Sequence, residues 1–528
     1  MKPERNTTSW KKLLGVVLFS ALIAGCGGGS STSMAPPSTN GTTPSTNGTT
    51  VTDPFALPST LYLAFTANNT LKIVNTTNPV DVETVDTVND TTYVYHFNYS
   101  HPAVTSVYPK YVFYIDNGTI YRINLLTKTK TQVSAITNAS YFSGELDEVN
   151  DYPGYIEVVL ENGTTTVIPT NMPSTTLPAQ FGDFTVEWFI GKYDSDGAPL
   201  GAIIDNGTYL KYCPLVANGL DLSNCTDILP YSTYAEAITI GTNPLKVLLN
   251  KDDTEIYAFY PYNGTSVLLY NSTADSNSTI DNWNYAYVND HLYILQSNST
   301  ANMIKKIDAT TGASTTVFSY DNLNGFISPS STSFAVSPSE TVGVAYPVGA
   351  LVGGTPRYYN EVKVIYSNTT AVEVESSANY SYNIGGFFGE KLGYQMVNAT
   401  ESYIKIYDTV ANAITYNATG EPAGIIKKTA FTVTDNSDID SAETGYTIIY
   451  NGTDLQLFNA TTLNIDKTIP LTGTQDNWME IEGFGNRVLG VTRFTSTNNS
   501  TEIILLNIGN GTVSQITDTA TIDEWPVY

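Results

Sequence analysis

Histidine is almost missing from this 528-residue chain: His96, His101 and His291 are the whole supply. No two of them stand at the helical spacing of a zinc motif, and no Cys-x-x-Cys-His segment offers a haem attachment point. His96 falls in a strand-like run and reads as structural. His291 follows Asp290, which leaves a Ser-His-Asp arrangement open, but no Gly-x-Ser-x-Gly elbow accompanies it. Apolar runs are short too. After residue 25 none approaches the roughly 18 residues of a membrane-spanning helix, and no window keeps the 3.6-residue period of an amphipathic helix for any length. Charge is sparse, at 14% of residues, and mostly of one sign, giving a net charge of −26. Such a surface repels nucleic acid and anionic headgroups, so no nucleic-acid partner is expected. Neither a cofactor nor a metal site is expected.

What is present starts at the N-terminus. Lys2, Arg5, Lys11 and Lys12 precede an apolar run from Leu13 to Ala24, the layout of a secretory signal. Its end, Leu22-Ile23-Ala24-Gly25-Cys26, resembles the lipobox of prokaryotic lipoproteins. The resemblance implies cleavage after Gly25 and a diacylglyceryl group on the Cys26 thiol. The membrane then becomes a partner through acyl chains, and the location extracytoplasmic, lipid-anchored to the cell envelope at its outer surface. An ordinary signal peptide with an incidental Cys26 is the alternative. Removal of residues 1–25 would leave a charge of −29. Residues 27–54 are Gly, Ser, Thr, Pro and Asn with little else, and include a perfect tandem repeat, residues 37–43 and 44–50. Such a segment cannot offset its chain entropy by burial, and spans on the order of 30 Å as a tether. The expected domains are a signal peptide (1–25), a lipidated, disordered linker (26–56) and one β-domain (57–528).

The β-domain is periodic. Aromatic anchors recur every 46 to 51 residues: Tyr93 or Tyr95, Phe142, Trp188, Tyr234, Trp283, Phe334, Tyr382, Phe431, Trp478 and Trp525. A second register, an apolar residue followed by Asn or Asp and often a Thr-rich turn, appears at Asn75, Asn124, Asn271, Asp308, Asp408, Asn459 and Asn507. Its gaps of 49, 147, 37, 100, 51 and 48 are mostly multiples of the same period. Two registers with one period mean a repeat architecture. Within each unit, β-rich runs flank Asn-Gly turns, as at Asn117-Gly118, Asn206-Gly207 and Asn451-Gly452. Four-stranded units of this length are blades, and a ring of them hides nearly every sheet edge.

The strand-turn-strand rhythm and the Asn/Asp-x-Thr-Thr turns resemble the β-propellers of the TolB-like and quinoprotein-like groups. The fold expected is all-β, a propeller of about ten blade-like units (8 to 10 blades). The C-terminal strand around Trp525, Val527 and Tyr528 is expected to complete the N-terminal blade containing Leu61–Phe65 and Leu71–Val74. A β-sandwich array is the structural alternative. Asp308-Ala309-Thr310-Thr311-Gly312 matches part of a quinone-binding repeat, but the tryptophan that the resemblance calls for after the glycine is replaced by Ala313-Ser314-Thr315-Thr316. It reads as a hairpin turn.

Other chemistry is thin. Asp435, Asp438, Asp440 and Glu443, and the loop Asp194-Ser195-Asp196-Gly197, supply oxygens but not the spacing of a calcium loop, and read as solvated turns. Cys213 and Cys225 are expected to form a disulfide, as paired thiols do in exported proteins, with two buried free thiols as the alternative. Asn-x-Ser/Thr sequons number 25 among 47 asparagines, where composition alone predicts about 10. Asn98, Asn138, Asn277, Asn298, Asn379 and Asn417 are the candidate glycosylation sites; a Thr- and Asn-rich composition without any glycan is the alternative.

These features favour a non-catalytic lipoprotein that binds or scaffolds a protein or carbohydrate ligand through its loops and channel. The alternatives are an extracellular enzyme acting on glycans, with a carboxylate pair drawn from Glu145, Asp147, Glu148 and Asp151, or an envelope-assembly subunit.

Overall fold

A computed structural model gives the fold. The description covers residues 62–524 apart from short interruptions and the segments 191–200, 423–445 and 471–478. These residues form ten small sheets, almost wholly antiparallel. Each is a blade, numbered here from the one that holds Tyr62. Blades 5 to 8 are the plainest, with four strands each in sequence order. Blade 6, for example, runs Thr279–Val288, His291–Ser297, Ala301–Asp308 and Ser314–Asp321. The first strands of blades 4 to 8 lie beside one another in succession, so the first strand of each blade is its innermost.

The aromatic register marks these inner strands. Tyr95, Phe142, Trp188, Trp283, Phe334 and Tyr382 all fall on the first strand of their blade. Several of these strands carry a bulge near the anchor, between Val186 and Trp188, Asp281 and Tyr285, and Ile384 and Gly386. A bulge kinks the strand and re-aims its side chains. The described first strand of blade 9 is Glu421–Pro422. Phe431, Tyr234, Trp478 and Trp525 lie outside the described residues.

The second register marks the end of the third strand, where Asn or Asp closes a turn with its side chain. The Oδ1 atoms of Asn124, Asp308 and Asp408 each accept two backbone N–H groups, from residues two and three positions on. Four residues on, the chain turns left-handed at Lys128, Gly312 and Asn412. At Gly312 a Cβ would lie 2.0 Å from the Leu269 carbonyl of blade 5, so glycine is required. Asn271 breaks the pattern because it ends a fourth strand, Thr265–Asn271. That one displaced member accounts for the odd gap of 37.

Blade 1 takes Tyr62–Ala67, Thr70–Asn75 and Asn78–Thr87 from the N-terminal side. Its innermost strand is Ile522–Glu524, antiparallel to Tyr62–Ala67, with Thr66 opposite Glu524 and Ala67 opposite Ile522. The described part of this strand ends at Glu524, the residue before Trp525. The outer strand of blade 10, Thr512–Thr517, touches that of blade 1.

Blade cores are shared across seams. Ile256 and Ala258 of blade 5 pack with Leu292, Ile294 and Ile307 of blade 6. Phe113 and Ile120 of blade 2 pack with Phe142, Ile156 and Val158 of blade 3. Each fully buried Ile, Leu, Val or Phe among them contributes about 1.5–3 kcal/mol.

Blades 3 and 4 are irregular. Blade 3 has only three strands, Ala139–Leu146, Tyr155–Leu160 and Thr165–Pro169, and the last is wholly buried. What covers it comes from elsewhere: Thr165 bridges Gly182, and Thr166 Oγ1 donates to the Gln180 carbonyl. The short strand Gly219–Leu220, inserted in blade 4, packs so closely that a Cβ on Gly219 would lie 2.1 Å from the Val167 carbonyl. The insertion is held by the Cys213–Cys225 disulfide, which joins the strand Tyr209–Val216 to the residue before Thr226–Pro230.

Candidate functional site

Titratable side chains gather at the seams, in a motif that recurs. A carboxylate receives a tyrosine hydroxyl and a lysine ammonium, and the three groups usually come from two blades. At the seam of blades 1 and 2, Asp86 accepts from Tyr114 and Lys130. Between blades 5 and 6, Asp275 accepts from Tyr270 at 3.0 Å and Lys305 at 2.6 Å. Between blades 7 and 8, Glu375 accepts from Tyr394 at 2.9 Å and from Lys405. Within blade 7, Glu361 accepts from Tyr346 and, at 2.7 Å, from Lys363. Lys305 and Lys405 occupy equivalent places, three residues before the Asp that ends the third strand, and both are buried.

These contacts set the ionisation. Burial alone would raise the carboxyls of Asp86, Asp275, Glu340 and Glu361, but hydrogen bonds and charge from lysine outweigh it and hold each below its usual range. The phenols move the other way: burial, and then the neighbouring carboxylate, pushes Tyr114, Tyr293, Tyr346 and Tyr394 far above their usual range. A carboxylate with two such donors is well solvated by protein, which lets a charge sit at a seam. Perturbed groups often mark catalytic sites. Here Asp86, Asp275, Glu340 and Glu361 are each bound to groups that join strands or blades.

The seam of blades 6 and 7 carries a further polar cluster. Glu340, on the turn between the first and second strands of blade 7, binds Lys306 of blade 6 and has its Oε1 2.8 Å from His291 Nδ1, out of line for a hydrogen bond. Glu340 is left-handed, at φ 64, a conformation that costs a non-glycine residue roughly 1–2 kcal/mol. Nearby, the wholly buried Lys246 lies 3.5 Å from both Asp290 Oδ1 and Thr310 Oγ1. The close carboxylate of His291 is therefore Glu340, from the next blade, and not its sequence neighbour Asp290. That pairing is invisible to a linear reading because it crosses a seam.

The other expected residues are dispersed. Cys213 and Cys225 are joined. Asn138, Asn277, Asn379 and Asn417 are exposed, and Asn298 is half-buried. Asn98 lies on the first strand of blade 2, its side chain outside the described residues. Glu145 and Glu148 are placed by their backbones, Glu148 on a two-residue strand that runs parallel to Tyr99 at the inner edge of blade 2. Their side chains lie outside the described residues, as do Asp147, Asp151, the loop at 194–197, the cluster at 435–443 and Cys26. Asp308 and its neighbours form the expected hairpin turn. Among the described residues no group of three or more His, Cys, Asp or Glu side chains is arranged to hold a metal ion, and no helix is long and apolar enough to cross a membrane.

No protein-family model matches the chain, and no curated protein sequence does. Among solved structures it is similar to a eukaryotic initiation factor, at 9% identity over 89% of this chain and 100% of that one, with a TM-score of 0.41. It is similar to the Dos1 propeller, at 10% identity over 73% and 88%, TM-score 0.33. It is also similar to TolB from Acinetobacter baumannii, at 11% identity over 52% and 61%, TM-score 0.23. These are likenesses of architecture alone.

Proposed function

We propose that the protein is a non-catalytic binding or scaffold module, lipid-anchored through Cys26 to the outer surface of the cell envelope. One observation carries the binding reading: the outer edge of blade 5 keeps large apolar side chains in water. Tyr262, Val267 and Leu268 are 61%, 52% and 48% exposed on the last turn and outer strand of that blade. Exposed apolar side chains grouped on one strand edge suit contact with a partner protein. The pairing of Ile522–Glu524 with Tyr62–Ala67 supports reading the array as a ring joined at its ends, a rigid support for such a surface. Crosslinking and capture from intact membranes tests the reading with a Tyr262→Ser, Val267→Thr, Leu268→Ser variant. A partner held by the parent protein and lost by a variant of unchanged melting temperature is expected. An identical captured set from both proteins contradicts it.

A second reading has one observation in its favour. Glu148 sits at the inner edge of blade 2 beside Tyr99, where a channel-mouth carboxylate of a glycan-cleaving enzyme would stand. Release of reducing sugar ends from envelope polysaccharide, abolished by Glu148→Gln, would favour that reading over the first.

A further inference from the structure

Two groups of described sequons differ in what their asparagine side chains do. In hairpin turns the carboxamide is spent on the turn. Asn162, Asn263, Asn298 and Asn398 each accept, on Oδ1, both the backbone N–H of the sequon threonine and its hydroxyl, the latter at 2.8, 2.6, 3.1 and 3.1 Å. There the sequon is itself the turn: Asn bonds its own backbone two residues on, and Thr leads into the next strand. The surplus of sequons over chance is in good part hairpin chemistry.

Asn138, Asn277 and Asn379 are different. All three are exposed, and their carboxamides have no hydrogen-bond partner among the described residues; Asn138 contributes only its backbone carbonyl, to Glu161 N–H. All three lie in connections from the last strand of one blade to the first strand of the next. Those connections share one face of the molecule with the turns between second and third strands. Asn138 abuts the turn at Gly118, Ile280, just past Asn277, donates to the Asp253 carbonyl, and the Tyr380 carbonyl accepts from Asn360 Nδ2. The chain enters Tyr62–Ala67 from the opposite face, where Tyr62 stands across from Asn75 at the turn after the third strand.

We propose that Asn138, Asn277 and Asn379 carry N-linked glycans, and that the face bearing them points away from the membrane. The direction rests on the lipid-anchor reading above; the sites do not. In the transfer, Nδ2 forms a bond to the anomeric carbon of an oligosaccharide carried on a lipid diphosphate. The carbon–oxygen bond to phosphate breaks, its electron pair leaves with the diphosphate, and Nδ2 gives up one proton. A free, exposed carboxamide can make that approach. One whose oxygen is held by the threonine N–H and hydroxyl is fixed against the turn.

The test is peptide mass spectrometry of the protein purified from its native membrane. Glycan mass increments are expected on the peptides of Asn138, Asn277 and Asn379, with unmodified masses at Asn162, Asn263, Asn298 and Asn398. Increments on the hairpin asparagines, or unmodified masses at the three connection sites, overturn the proposal. Asn138→Gln and Asn379→Gln, each at an exposed position, should each remove one step of electrophoretic retardation; unchanged migration of both overturns it as well. The N-terminal peptide is read in the same spectra. Glycans at the three sites with an unacylated Cys26 would keep the sites and remove the anchor reading with the direction it implies.

Discussion

Blades 5 to 8 and blades 3 and 4 solve the same problem by different means. In blades 5 to 8 every sheet has four strands, and neighbouring blades are joined by buried lysine–carboxylate–tyrosine contacts at Lys305 and Lys405. Blade 3 has no fourth strand. Its buried edge is covered by a hairpin lent from blade 4 and pinned by Cys213–Cys225. A regular repeat can rely on turn residues and seam charges that recur with the period. Where one strand is missing, a covalent bond holds the substitute.

Alkali should separate the two regions most. The phenols of Tyr293, Tyr346 and Tyr394 are held neutral far above their usual range, whereas unfolded tyrosines ionise near pH 10. Their contribution is complete below about pH 10 and is lost as the pH rises past it. Hydrogen exchange at rising pH should show blades 6 to 8 opening before blades 3 and 4, where Tyr212 is pushed up only to about 12, by burial and then by Tyr262. Simultaneous opening would erase the contrast.

Next in size is Lys405→Ala, which leaves Glu375 at the seam without its cation and should cost about 3–5 kcal/mol in chemical denaturation. Loss of the disulfide by Cys213→Ser with Cys225→Ser should cost about 3 kcal/mol, with lost exchange protection confined to Thr165–Pro169 and the blade 4 insertion. Protection lost equally in blades 5 to 8 would contradict a local role. Asp408→Ala removes the acceptor of two turn N–H groups and should cost about 1 kcal/mol. The smallest effect belongs to Lys211→Ala, whose ion pair with the half-exposed Asp227 is worth under about 1 kcal/mol.

Legibility followed periodicity. Tyr95, Phe142, Trp188, Trp283, Phe334 and Tyr382 recur with the period because a packed inner strand needs a large side chain at the same place in each unit. Asp308 and Asp408 predicted the turns, since the bonds they make are local. Cys213 and Cys225 followed from their isolation as a pair. The seam contacts did not show in the sequence. Asp86 and Lys130, or His291 and Glu340, are about one repeat apart in the chain, and nothing in either residue names its partner. The left-handed Glu340 was equally hidden, because glutamate carries no signal for that conformation. The hairpin role of Asn298 was hidden as well: the same three residues can encode a turn or a modification signal, and the turn shows only in the bonds from Thr300 to the Asn298 side chain.

The most direct test is of the first and last described strands. Thr66 and Glu524 stand opposite each other in one antiparallel pair, a separation that a disulfide can bridge. A Thr66→Cys, Glu524→Cys protein should oxidise to a single intrachain link joining its N- and C-terminal peptides, with the Cys213–Cys225 bond intact. Two free thiols in the folded protein, or a link formed only between separate chains, would contradict the pairing and the ring that depends on it.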